Sequence, residues 1–250
     1  MKIFGKKIPM VFALLFWVVI WEIIGRVQLL FLIPPFTEVL KSVWELLFTG
    51  KFQAAVLISL QSFLMGMGLA VVVGIVLGSL MGRIKALDDL LGMWVNVFVS
   101  APLTAIIPAL MVILGFGQTT VVVSVTLFAV WIITLDTRAG VKNISRSLVE
   151  MSRSFGASKW DMYRKVIFWS ALPEVLAGLR LGFIRGVRGV VVGQLLIAIV
   201  GLGELFELYS RNFLMDHFWA LIILIFIFAY AISELINRLE QRLEYYAGQR

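Results

Sequence analysis

The sequence contains no cysteine and a single histidine, His217. Disulfides, thiol catalysis, Cys-based metal sites and His-cluster metal sites are therefore excluded. A G-x-x-x-x-G-K-[ST] run is missing, so the chain has no phosphate loop with which to hydrolyse ATP. Charge is scarce: 15% of the 250 residues, against about 25% in soluble domains. Acids are fewer than bases, 15 against 22, leaving a net charge of +7.

What is present is apolar. Hydrophobic residues make up 61% of the chain and the mean hydropathy is +0.99, the composition of an integral membrane protein. In that setting the positive charge fits basic cytoplasmic segments beside anionic lipid, with no nucleic-acid partner expected. The first apolar run follows Lys2, Lys6 and Lys7 and looks like a signal peptide. It is too long for one and no small-residue cleavage site follows, so it is expected to stay as a span.

A span needs roughly 20 apolar residues. Six stretches qualify, at residues 10–30, 55–81, 90–114, 119–136, 174–200 and 218–236, which predicts an all-α protein of six transmembrane helices. With the N-terminus inside, the outer segments hold only Arg26, Lys41, Lys51 and Arg211, and most of the other bases fall inside. The positive-inside rule then puts both termini in the cytoplasm. The whole chain, 1–250, reads as one membrane domain with two special loops. Residues 34–50 space Val39, Leu40, Val43, Leu46 and Leu47 helically, which predicts an amphipathic helix on the outer surface.

The other loop, about 139–168, is cytoplasmic and reads as two short helices meeting at Gly156. Ser158 is placed to cap the second helix, with Asp161 three residues on as a capping-box variant. Arg164 and Lys165 then sit near its C-terminal end, where the dipole favours cations. Met151 and Phe155 pair before the glycine, and Trp160, Tyr163 and Ile167 form an apolar stripe after it. Gly156 allows a sharp joint or the close approach of another backbone. Two readings stand at this point: a surface helix with a lipid-facing stripe, or a docking helix for a soluble partner.

Here the sequence resembles a known family. Glu150, Gly156 six residues on, the pair Val166–Ile167 and "ALP" at 171–173 look like the EAA loop of ABC importer permeases. "LIPPFTEVL" (32–40), "SAPLTAIIPALMVILGFG" (100–117) and "VGLGELF" (200–206) are similar, in the same order, to the nitrate/sulfonate/taurine branch of binding-protein-dependent permeases. The chain departs from that branch at Phe168–Trp169 (usually Leu-Pro), at Met151 and Ser152, at Gln194 (often glutamate) and at Arg188 (commonly apolar).

The resemblance implies a type I permease fold in the bacterial inner membrane. It implies a second permease copy, two cytoplasmic ATPase subunits that bind ATP and Mg, and an extracytoplasmic solute-binding protein. No cofactor is implied in this chain. The loop becomes the coupling helix, with Glu150, Phe155, Gly156, Ala157, Ser158, Trp160, Asp161 and Tyr163 as the ATPase-contacting residues. The solute is expected to be small and anionic, of nitrate, sulfonate, taurine or organic-acid type. A neutral heterocycle such as a pyrimidine vitamin precursor is the alternative.

Charges within a span cost several kcal/mol and usually face protein or water. Arg185 and Arg188 lie mid-way along the fifth predicted span, three apart and on one face. Each is either satisfied by helix-end carbonyls or a carboxylate, or lends positive potential to an anion path. Gln194 falls off that face and is suited to bonding between helices. Pro102 and Pro108 are expected to kink the third span, for packing or to open carbonyls onto a cavity. These five residues are the candidate solute path. An ion-coupled secondary transporter would need mid-membrane acids and internal repeats, and neither is visible. A scaffold would need no charge at depth, and no catalytic constellation supports an enzyme.

Overall fold

Glycines on the second apolar stretch set the packing of the molecule. In the computed structural model, which describes residues 2–3, 6–7 and 10–247, that stretch is a single helix, α3 (Gly50–Arg83), following α1 (Met10–Arg26) and α2 (Phe36–Leu47). At 34 residues it is about 50 Å long, more than the hydrocarbon thickness. Gly66, Gly74, Gly78 and Gly82 of α3 press on α6 (Gln118–Lys142), where a Cβ would come within 2.6–2.8 Å of α6 atoms. Gly68 does not share this role, since it meets no atom within 4 Å. α9 (Phe168–Ile197) packs on α6 in the same way, through Gly178, Gly182 and Gly189, and Val125 and Ile133 meet glycines of both helices. Small residues let the backbones approach closely, the main source of helix association where lipid is as apolar as leucine. Phe63, Met67, Val125, Ile133, Val187 and Val190 fill the spaces between.

A second packing centre lies away from the first. It joins α2, the start of α3, α10 (Leu202–Arg211) and α11 (Met215–Ala247) through Val39, Leu46, Phe52, Leu205, Tyr209 and Leu221. The predicted outer helix is thus present as α2, with Val39, Ser42 and Leu46 buried. Leu40 and Leu47 of the expected stripe are exposed instead. α1 is fastened at its end by two indole groups. Trp21 Nε1 donates to the Pro34 carbonyl at 3.0 Å and Trp219 Nε1 to that of Leu32 at 2.8 Å. A two-residue antiparallel ladder, β1 (Lys2–Ile3) with β2 (Lys6–Lys7), precedes α1.

Among the described residues, three helices are long and apolar enough to cross a membrane alone: α3, α6 and the Met215–Glu234 part of α11. The number rises to five if two bent pairs each count as one span. α1, the remaining predicted span, has 17 residues. The third predicted span is not one rod. α4 (Lys85–Ser100) ends at Ala101, a short 3-10 turn covers Leu103–Ile106, and α5 (Ile107–Leu114) leaves at 96° to α4. Pro102 supplies the cause: it has no N–H to continue the ladder and holds Ala101 extended at ψ 146°. Pro108 adds no kink, because it lies in the first turn of α5, where a missing N–H breaks nothing. The fifth predicted span ends at Ala198, which has φ +56°, and α10 leaves at 43° after Gly201, φ +63°.

Candidate functional site

The loop between α6 and α9 is built from local signals. α7 (Arg146–Ser154) ends on Phe155, and Gly156 follows in the left-handed region at φ +76°. The Gly156 N–H donates to the Arg153 carbonyl at 2.9 Å and the Ala157 N–H to that of Ser152 at 3.0 Å. That pair of bonds is a Schellman closure, and the position needs a residue free of a Cβ. A Cβ at Gly156 would meet no atom within 4 Å in this chain. The glycine is thus required by backbone conformation, not by packing within the chain.

Ser158 caps the next turn, α8 (Lys159–Met162), taking the Asp161 N–H at 3.1 Å and donating its hydroxyl to Asp161 Oδ2 at 2.6 Å. Lys165 closes on Asp161 Oδ1 at 2.9 Å. These contacts, the Ser158 bond first, hold the Asp161 carboxyl below its ordinary range. α8 does not stand alone as a second helix. It runs through a wide turn at Tyr163–Ile167 into α9, which continues past Pro173.

The predicted apolar residues divide. Ile167 is buried, as is Met162, which the stripe did not include, whereas Phe155 is 84% exposed and Trp160 69%. Met151 and Glu150 on α7 are also exposed. Tyr163 is half-buried, stacked on Trp160 at 6.5 Å, and the Arg83 guanidinium from the end of α3 lies 5.5 Å from its ring centre. The loop is therefore a stiff, capped corner that presents two large apolar side chains outward and is braced from behind by α3.

Beside it lies an ion cluster that sequence reasoning missed. Asp88, buried at the start of α4, pairs with Arg138 and Lys142 of α6, the latter at 2.9 Å. These residues are 50 and 54 positions from Asp88, too far for any local pattern to reveal.

At depth, the structure separates the five path candidates. Arg185 Nη1 donates to the Val99 carbonyl at 3.1 Å. That carbonyl is free because the Leu103 N–H turns back to Ala101 at the break below Pro102. Arg185 also lies within electrostatic reach of Asp136 on α6. Arg188 lies on the exposed face of α9 with Ala177, Leu181 and Leu195, and makes no hydrogen bond or ion pair among the described residues. Gln194 is on the opposite side, 2% exposed, with Oε1 taking the Ser59 hydroxyl at 2.8 Å. Gly203 of α10 packs directly on its backbone. Arg185, Arg188 and the Pro102 break thus share one side of α9. Gln194 is part of the joint between α3, α9 and α10, and Pro108 belongs to the start of α5.

Comparison with known proteins adds to this geometry. The family described as binding-protein-dependent transport system inner membrane component matches residues 70–245. The taurine transport system permease protein TauC of Escherichia coli K12 is 27% identical over 92% of this chain and 86% of its own length. The riboflavin transport system permease protein RibX of Chloroflexus aurantiacus is 28% identical over 96% and 90%. A solved structure of the inward-facing MetNI methionine ABC transporter superposes with a TM-score of 0.58 at 24% identity, covering 77% of this chain and 94% of that one, a likeness of fold.

Proposed function

The chain belongs to the family of binding-protein-dependent transport system inner membrane components, a transport family, and we propose on that premise that it forms one half of the solute path of an ATP-driven importer. A second copy completes the path. Two cytoplasmic ATPase subunits bind ATP and Mg, and an external binding protein delivers the solute to the outer ends of α2, α10 and α11. Both termini lie in the cytoplasm.

The observation that carries this reading is the exposure of Phe155 and Trp160 on a capped corner. Large apolar side chains held outward on a stiff frame suit the core of a protein interface, because little ordering entropy remains to be lost on binding. Glu150 and Ser158 form the polar surround, and the small Ala157 leaves room beside them for the partner's backbone. Closure of the ATPase pair on ATP moves the seated corner, and the motion enters α6 and α9 together because the corner links them.

The solute is small and anionic. Arg188 supports this: a guanidinium at mid-helix costs about 2.5 kcal/mol or more on insertion scales, and in this chain it faces outward from α9 without a partner among the described residues. The TauC relative is consistent with a sulfonate. A neutral ring system is the second reading, favoured by the equal similarity to RibX. Uptake by the complex reconstituted in vesicles decides between them. Arg188→Gln is expected to depress anion uptake while assembly and ATP hydrolysis persist, and Arg188→Lys to restore part of it if charge alone acts. Indifference to Arg188→Gln would favour the neutral solute.

A further inference from the structure

The indole nitrogen of Trp131, on α6, is buried and finds no hydrogen-bond partner among the described residues. A buried N–H left unpaired costs about 1–3 kcal/mol, so this group calls for a ligand. Its ring lies flat on Phe98 of α4, with centroids 4.4 Å apart and planes 10° from parallel. The next residue, Val99, gives its carbonyl to Arg185 of α9. The last turn of α4 before the break thus touches both Trp131 and Arg185.

The packing of α6 on α9 sets the two at similar depth. Gly182 meets Ile133 and the Ala129 carbonyl, and Gly189 meets Val125 and Phe128. Arg185 lies between those levels, beside the turn that carries Trp131. One of the five guanidinium N–H donors is taken by Val99, which leaves others to bond a ligand.

We propose that Trp131 and Arg185 form a two-donor station for an oxyanion, a sulfonate or carboxylate group of the transported solute, at the α4 break. The argument is chemical. Indole and guanidinium are donors only and have no acceptor to offer. Their complement is a group that only accepts, which an oxyanion is and an ammonium or an amide N–H is not. The inference rests on the import reading above and assigns its solute-selective residues.

Vesicles containing the complete importer test it, with nitrate, methanesulfonate, taurine and riboflavin as probes. Trp131→Phe keeps a ring on Phe98 and deletes the N–H. It is expected to raise the KM for the transported anion about tenfold, the loss of one hydrogen bond to a charge, with a smaller effect on maximal rate. Trp131→His, which returns a ring N–H, should recover part of that affinity. Trp94→Phe, on the exposed side of α4, is the control and should leave KM in place. An unchanged KM in Trp131→Phe, with anion uptake still sensitive to Arg188→Gln, overturns the station and leaves the import reading standing. Uptake of riboflavin and none of the anions by the unaltered protein overturns the station and the anionic-solute reading together. If Trp131→Phe is not recovered from the membrane, Arg185→Lys carries the same test: the charge stays, the fork is lost, and an unchanged KM overturns the station.

Discussion

Ser59 of α3 and Gln194 of α9 meet side chain to side chain at 2.8 Å, both buried, and the same Ser59 oxygen receives the Leu202 N–H of α10 at 3.4 Å. One hydroxyl therefore ties three helices at the point where α9 gives way to α10. Ser59→Ala is expected to lower the stability of the detergent-purified protein by about 1–3 kcal/mol, because it leaves the Gln194 amide without its partner in a dry setting. Gly203→Ala should cost more, since its Cβ would run into the Gln194 backbone, which cannot swing aside. Melting curves followed by size exclusion would settle both. Equal stability of Ser59→Ala and the unaltered chain would mean the bond contributes nothing.

Gly156 offers a second test. Alanine there must hold φ +76°, a strain of about 1–2 kcal/mol. Proline cannot adopt that angle at all, and tryptophan adds bulk at the outward corner. The spans should still insert in Gly156→Pro and Gly156→Trp. The ATPase should no longer co-purify with them, and uptake should cease. Normal co-purification with normal uptake would remove the loop from the docking surface.

The cap of α8 predicts a pH dependence. The Asp161 carboxyl titrates below its ordinary range because the Ser158 hydroxyl and Lys165 bond its charged form. Such a group stabilises the fold above its unfolded pKa, about 3.9, and that contribution is lost as pH falls through the lower folded value. Hydrogen exchange of the 158–165 amides, corrected for intrinsic rate, should stay flat between about pH 8 and about pH 5 and rise only below about pH 4. Asp161→Asn should abolish the rise. A transition near neutrality would point to a different group.

Orientation can be read with fusion reporters. Those placed after Lys41 and Arg211 should report the outer side, and those after Lys85 and Lys159 the cytoplasm. Cytoplasmic labelling of α2 would put α7 and α8 on the wrong face for an ATPase.

The Asp88 cluster yields the fifth prediction. Asp88→Ala strips the carboxylate from Arg138, whose side chain is only 19% exposed, and should destabilise by ~3 kcal/mol, as breaking buried pairs does. Removing both charges in Asp88→Ala with Arg138→Met should recover much of the loss. A double variant no better than the single would show that packing, not charge, dominates there.

The corner at Gly156 was legible in the sequence because its determinants act over a few residues. Ser158 and Asp161 are three apart, and the closure at Gly156 spans five positions. The apolar stretches were legible as helices for the same reason. Their breaks were less so. Pro102 and Pro108 look alike in the sequence, and only their places relative to α5 make one a corner and the other a helix start. Arg185 finds its carbonyl 86 positions away and Gln194 its serine 135 away. Such pairings depend on how rods pack, and no pattern along the chain encodes that. Trp131 and Phe98 escaped notice because aromatic residues in a greasy helix carry no mark of which ones will stack.

The two glycine faces that meet α6, one on α3 and one on α9, have a mechanical consequence. A rod clamped along most of its length by two neighbours at backbone distance cannot bow or slide by a fraction of a turn without opening both seams at once. α3, α6 and α9 therefore answer a push as one solid wedge. The corner at Gly156 is the handle of that wedge, since it joins two of the three rods directly and leans on the third through Arg83. α4 and α5 meet the wedge at separate points, the salt link at one end, the Phe98–Trp131 stack, and Arg185 at the bend, with no glycine seam of their own.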